Sequence, residues 1–218
     1  MEKHFAILHT TPATIAGLKS LCAQLLPGAT VYNYMDDSLL PRINRAQAVT
    51  EEVRAQFGAL VSLAASTGPA AILTACSTVG DLMEALRPRY PMPLLRIDEP
   101  MAEEAAACPG SVIVCATLPS TLGPTLGLIR RKQKAPRPVD HLIIEQAGPL
   151  LAAGKREEYL KTIADALSDA AQGHDLVVLA QASMADALEL MPENQRRKFL
   201  TSPKSGITAL AAYWKQEG

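Results

Sequence analysis

One cysteine sits where thiol chemistry would be set up. Cys76 follows the apolar run Ala71-Ile72-Leu73-Thr74-Ala75 and precedes Ser77-Thr78. A run of that length bounded by small polar residues reads as a buried strand ending in a loop that enters a helix. A thiol at such a strand end lies beside hydroxyls and backbone N–H groups, the setting in which a thiolate can form and act. Taken alone, a cysteine of this kind is more often a structural core thiol. Cys76 stands out because its surroundings recur as Leu176-Val177-Val178-Leu179-Ala180-Gln181-Ala182-Ser183. Setting Cys76-Ser77 on Ala182-Ser183 gives an offset of 106 residues (182 − 76) and puts alanine at the counterpart of the thiol.

The elements that would carry these segments alternate along the chain. Short apolar runs occur at Phe5–His9, Thr30–Tyr34, Ala70–Ala75, Pro93–Ile97, Ser111–Ala116, His141–Glu145, Leu176–Ala180 and Lys198–Thr201. Between them lie stretches of helical period, such as Val49, Val53, Leu60 and Ala64, and later Tyr159, Leu160, Ile163, Leu167 and Ala171. That alternation predicts an α/β fold with parallel sheets and helical crossovers. The eight runs also read as four plus four. Phe5–Pro12 echoes Val112–Pro119 with an offset of 107 (119 − 12), and Leu95–Pro100 echoes Lys198–Pro203 with an offset of 103 (203 − 100). Three similar offsets in the same order argue for duplicated halves. The expected architecture is two pseudo-symmetric Rossmann-like (flavodoxin-like) lobes, 1–104 and 105–204, each with a four-stranded, mainly parallel sheet.

Open parallel sheets take ligands beyond the carboxyl ends of their strands, so the expected active site is the cleft between the two lobes. The strand-end loops contain Thr10-Thr11, Asp36-Asp37-Ser38, Cys76-Ser77-Thr78, Thr117 to Thr121, Glu145-Gln146 and Gln181-Ala182-Ser183, with no arginine or lysine. Hydroxyls and backbone N–H groups of this kind suit a small carboxylate. Ser77, Thr78 and Ser183 also read as helix N-caps, and Asp36-Asp37 as a turn signal.

The rest of the composition excludes more than it assigns. At 218 residues with 48 % hydrophobic and 20 % charged residues the chain is globular, and a net charge of −1 leaves no footprint for nucleic acid or an anionic membrane. Arg130-Arg131-Lys132-Gln133-Lys134 reads as a solvated helix end. Cys22 and Cys115 read as core thiols and Cys108 as a helix end; no C-x-x-C pair occurs and the four histidines are scattered, so no metal site is expected. Ser120–Gly127 lacks the glycine patterns of nucleotide binding, and no cofactor is expected. Met1-Glu2-Lys3-His4 leads into a short strand without the apolar length of a signal peptide, and no stretch reaches the length of a transmembrane helix. A cytoplasmic protein is the expectation; its oligomeric state is left open.

Cys76-Ser77-Thr78, the Thr10-Thr11 and Ala116-Thr117 strand ends, Leu179 to Met184 and Asp36-Asp37-Ser38-Leu39-Leu40 together resemble the aspartate/glutamate/hydantoin racemase superfamily, which includes maleate isomerases and arylmalonate decarboxylase. The resemblance spans essentially the whole chain. It implies cofactor-independent chemistry at the carbon next to a carboxyl group, with Cys76 as acid/base or nucleophile. It also implies substrate contacts from Thr10, Thr11, Ser77, Thr78, Thr117, Thr121, Gln181, Ala182 and Ser183, and a C-terminal helix (205–218) packed on the first lobe. Racemases of this superfamily use two cysteines, one on each face of the α-carbon. With Ala182 as the counterpart of Cys76, the chain resembles a single-cysteine isomerase or decarboxylase, in which His9, Asp37, Glu145 or a water serves the other face. The alternatives are a carboxylate-binding sensor that has lost turnover, and a hydrolase acting through a Cys76 thioester.

Overall fold

A computed structural model describes residues 3–214. Met1, Glu2 and residues 215–218, the end of the expected C-terminal helix, lie outside the described residues. Contacts divide the described chain into two units, residues 3–99 with 203–214, and residues 100–202.

The first unit contains β1 (His4–His9), α1 (Ile15–Leu25), β2 (Thr30–Met35), α2 (Leu39–Ala46), α3 (Glu51–Ala65), β3 (Ala71–Thr74), α4 (Gly80–Leu86) and β4 (Leu94–Arg96). Its strands pair in parallel in the order β2-β1-β3-β4. The two central strands are buried along their whole length. Helices cover both faces, so the sequence shows a continuous apolar run instead of alternation. Phe5, Ile7 and Leu73 face Leu18, Cys22 and Leu26 on one side of the sheet. Ala6, Leu8 and Ile72 face Phe57, Val61 and Val79 on the other. α3 begins with Thr50, whose hydroxyl accepts from the Val53 N–H, and carries Glu51 and Glu52 in its positive first turn.

The second unit contains α5 (Glu99–Ala107), β5 (Val112–Ala116), α6 (Pro119–Lys132), β6 (Asp140–Ile143), α7 (Ala147–Ala152), α8 (Arg156–Gly173), β7 (Leu176–Leu179) and β8 (Phe199–Thr201). Its strands are also parallel, in the equivalent order β6-β5-β7-β8. All eight apolar runs are therefore strands, and the two sheets share one topology. α5 gives Met101, Ala102, Ala105 and Ala106 to the core around Val112, Val114 and Leu126. The division consequently falls at Glu99–Pro100 rather than after residue 104. The basic cluster after Ile129 occupies the last turn of α6, where positive charge complements the helix dipole. Finally α9 (Ser202–Ala212) places Ile207, Leu210 and Ala211 in the first unit's core beside Phe5 and Ile7.

Candidate active site

Strand register fixes which residues of the two units are equivalent. Leu8 pairs with Thr74 in the first sheet, and Cys115 pairs with Leu179 in the second. The Ala75 N–H donates to the Leu8 carbonyl at 2.9 Å, and the Ala180 N–H donates to the Cys115 carbonyl at the same distance. Two residues beyond Thr74 is Cys76; two residues beyond Leu179 is Gln181. Each is the extended residue that caps the helical turn after its strand, with φ/ψ of −128/113° for Cys76 and −120/134° for Gln181. The expectation that Ala182 is the counterpart of Cys76 is thus off by one residue. Apolar runs without internal landmarks tolerate such a slip in a sequence comparison, whereas the hydrogen-bonded ladder does not. By register the counterpart of Cys76 is Gln181.

The same register explains what surrounds Cys76. Residues paired across a parallel ladder share a face of the sheet, and side chains alternate faces along each strand. Continuing the Leu8–Thr74 pairing by two residues brings Thr10 opposite Cys76. The Thr10 hydroxyl lies close enough to the sulfur to favour its thiolate, yet it is only 3 % exposed and makes no hydrogen bond of ordinary geometry. The 3-10 turn Ser77–Val79 runs directly into α4, so the N–H groups of Thr78 and Val79 point back at the sulfur. Burial raises the Cys76 pKa; the Thr10 hydroxyl, the Val79 and Thr78 N–H groups and the Thr78 hydroxyl oppose it without cancelling it. Hydroxyls and N–H groups at a strand end, taken alone, would make a thiol ionise more readily than usual. Desolvation reverses that, and the resting group is a protonated thiol ringed by donors that would stabilise its anion.

This predicts a distinctive alkylation profile. Cys76 is partly exposed, whereas Cys22 and Cys115 are buried and pushed up to about 11 and about 12. Iodoacetamide is expected to label Cys76 before Cys22 and Cys115, at a rate climbing about tenfold per pH unit through pH 8 with no plateau below pH 9. Peptide mapping after timed labelling reads this. A plateau near pH 7, or labelling of Cys115 before Cys76, contradicts it.

The second unit uses the equivalent pair differently. Thr117, the counterpart of Thr10, donates to Gln181 Oε1 from its backbone N–H at 2.6 Å and from its hydroxyl at 3.0 Å. Behind them Tyr159 of α8, fully buried, contacts the Ser183 hydroxyl at 3.1 Å and interacts with the Thr117 hydroxyl. Burial raises the Tyr159 pKa, so the phenol is a neutral donor. Sequence periodicity had assigned Tyr159 only to an apolar helix face. Its signal was a hydroxyl on that face, one turn into a helix leading to a polar strand end.

An arginine anchors the helix that follows Cys76. Arg96, at the end of β4 and 1 % exposed, binds Asp98 bidentately at 2.9 and 3.0 Å, and Asp81 and Glu84 of α4 at 2.7 and 2.8 Å. Burial disfavours its charge, but Asp98 and Glu84 more than compensate and hold its pKa above the usual value. Gly80 lets the guanidinium cross the first turn of α4, since a Cβ there would lie 2.3 Å from Arg96 Cζ. The turn whose N–H groups face Cys76 is therefore tied to the sheet.

The remaining candidates separate by position. Ser77 is buried in the turn after Cys76, and Thr121 is buried in the first turn of α6. Thr11 caps the 3-10 turn Pro12–Thr14, its hydroxyl accepting from the Ala13 N–H at 3.4 Å. Ala182 opens the 3-10 segment Ala182–Leu190. His9 falls on the opposite sheet face from Cys76, because it is one residue out of phase with Thr10. Its ring binds the Thr14 hydroxyl at 2.8 Å and Asn33 Oδ1 at 2.9 Å, and burial lowers its pKa. It is a neutral structural histidine rather than a proton carrier for Cys76. Asp36 closes its own turn by accepting from the Ser38 N–H and hydroxyl. Among the described residues no three His, Cys, Asp or Glu side chains gather as metal ligands, and no helix is long and apolar enough to cross a membrane.

The chain's fold is similar to that of Picrophilus torridus aspartate racemase, at 12 % identity and TM-score 0.72, over 98 % of this chain and 95 % of that one. It is also similar to glutamate racemase isoform RacE1 from Bacillus anthracis, at 15 % identity and TM-score 0.75, over 99 % and 83 %. Allantoin racemase from Klebsiella pneumoniae aligns at 15 % identity and TM-score 0.60, over 97 % and 87 %. No curated protein matches the chain in sequence. The sequence profile of the Asp/Glu/Hydantoin racemase family matches residues 7–204. The chain therefore belongs to the Asp/Glu/Hydantoin racemase family.

Proposed function

We propose that this protein is a cofactor-independent cytoplasmic enzyme that moves a proton at the α-carbon of a small carboxylate or amino acid, with Cys76 as the acid/base thiol. The observation that carries the reading is the Cys76 setting: a partly exposed, protonated thiol faced by the N–H groups of Thr78 and Val79 and by the Thr10 hydroxyl. In the forward step the Sγ–H proton passes to an enediolate carbon, forming a C–H bond and leaving a thiolate. The same N–H groups and hydroxyls then hold that anion, a stabilisation realised only as charge develops on sulfur. In reverse, the thiolate removes the α-proton. A substrate that loses carbon dioxide reaches the same enediolate, so racemase, isomerase and decarboxylase chemistry share this half-reaction.

Incubation in D2O with aspartate, glutamate, an α-hydroxy acid and an arylmalonate tests the reading. Deuterium is expected at the α-carbon of at least one of them, and Cys76→Ala is expected to lower that incorporation by about 10²-fold or more. Incorporation unchanged in Cys76→Ala would remove the thiol from the mechanism. A second reading, carboxylate binding without turnover, is favoured by Gln181, which occupies the place of a second thiol and transfers no proton. Saturable binding with no deuterium uptake is its signature.

A further inference from the structure

We infer that Gln181 makes the second unit's strand end a fixed hydrogen-bond donor for a ligand carboxylate, so that this position recognises an anionic oxygen instead of transferring a proton. The inference rests on the carboxylate reading above and deepens it. Its basis is the orientation of one amide. The Thr117 backbone N–H can only donate, and it meets the Gln181 side chain at 2.6 Å, so the atom there must be the carbonyl oxygen. The Thr117 hydroxyl donates to the same oxygen at 3.0 Å. With both lone-pair directions of Oε1 engaged, the NH2 group is turned away from Thr117, and Gln181 is only partly buried.

The orientation is held from behind as well. Thr117 is 4 % exposed and Tyr159 is fully buried; Tyr159 bridges the Thr117 hydroxyl and the Ser183 hydroxyl. α7 packs close over the same strand end, where a Cβ on Gly148 would lie 3.3 Å from the Thr117 carbonyl oxygen. A side chain fixed at its far end presents two N–H donors with little rotamer entropy left to lose on binding. A neutral donor pair of this kind matches a carboxylate or an enediolate oxygen. It offers nothing to a cation and has no lone pair with which to take a proton. In the first unit the equivalent threonine, Thr10, keeps its buried hydroxyl without a well-formed bond, and the residue opposite is the thiol. One duplicated threonine thus serves a proton-transfer residue in one unit and an orienting bond in the other.

Isothermal titration of the full chain with L-aspartate, L-glutamate, malonate and phenylmalonate, alongside Gln181→Glu and Gln181→Met, tests the assignment. Gln181→Glu keeps the acceptor that Thr117 needs and replaces the outward NH2 by an anionic oxygen. It is expected to weaken binding of the responsive carboxylate at least tenfold at pH 7.5, and Gln181→Met to weaken it severalfold. Thermal melts within a few degrees of the parent show that the variants fold. Binding that Gln181→Glu leaves unchanged overturns the Gln181 assignment while sparing the carboxylate reading. The absence of saturable binding by any of the four probes to the unmodified protein overturns both.

Discussion

Gln181→Cys is expected to raise racemisation of aspartate or glutamate by about 10²-fold over the unmodified protein, and Ala182→Cys is expected to leave it unchanged. Gln181 and Cys76 each lie two residues beyond a paired strand end and each cap the helical turn that follows. A cysteine at 181 inherits a threonine neighbour, Thr117, whose hydroxyl and N–H now point at the glutamine oxygen and would point at sulfur instead. A cysteine at 182 lies inside the 3-10 segment, one residue out of phase, and gains none of these partners. Since the amide donors are lost in Gln181→Cys, KM should rise even as kcat increases. Chiral chromatography after incubation in D2O reads both substitutions. Equal gains from the two, or a gain only from Ala182→Cys, would mean that the ladder does not define the equivalence.

The fold was legible because its signal is repeated and redundant. Eight runs, each flanked by helical period or turn residues, specify the strands, and the central ones, β1, β3, β5 and β7, are buried on both faces and leave no alternation to misread. The duplication was legible for the same reason, and the shared strand order bears it out. Register was not. Ala75-Cys76-Ser77 and Ala180-Gln181-Ala182-Ser183 can be aligned in two ways by residue type, and the alignment that keeps serine on serine is the one the hydrogen bonds refuse. The Lys198–Pro203 echo shows a related slip. Its offset of 103 (203 − 100, and likewise 202 − 99) fits the starts of α5 and α9, while Arg96 and Thr201 occupy equivalent strand positions at 105 (201 − 96). The second copy is two residues shorter between strand and helix. The ionisation of Cys76 was also out of reach, since it depends on how burial weighs against a handful of donors. Arg96 carried no signal either: a lone arginine at the end of an apolar run does not announce three carboxylates, one two residues further on and two from α4.

Arg96→Met is expected to destabilise the protein by about 3–5 kcal/mol, read as a lowered urea midpoint with an unchanged slope. The magnitude follows from what the substitution leaves behind. Asp98 is fully buried, and both of its oxygens are occupied by the guanidinium. Without Arg96 it would be a buried charge with its counter-ion gone, and such a group is far more costly than a lost surface pair. Asp81 is half-exposed at 53 % and Glu84 is 27 % exposed, so each can turn to water and contributes little to the loss. The asymmetry makes a second variant diagnostic. Arg96→Met combined with Asp98→Leu removes both partners of the buried pair and should recover most of the stability, whereas Arg96→Met with Asp81→Ala should recover none. The methionine stem still fits over Gly80, so packing is largely retained while the tie between β4 and α4 is cut. Because that tie fixes the turn facing Cys76, the recovered double variant should fold yet label more slowly with iodoacetamide than the parent. If Arg96→Met costs under about 1 kcal/mol, the cluster behaves as a solvated surface pair and α4 is held by its apolar contacts alone.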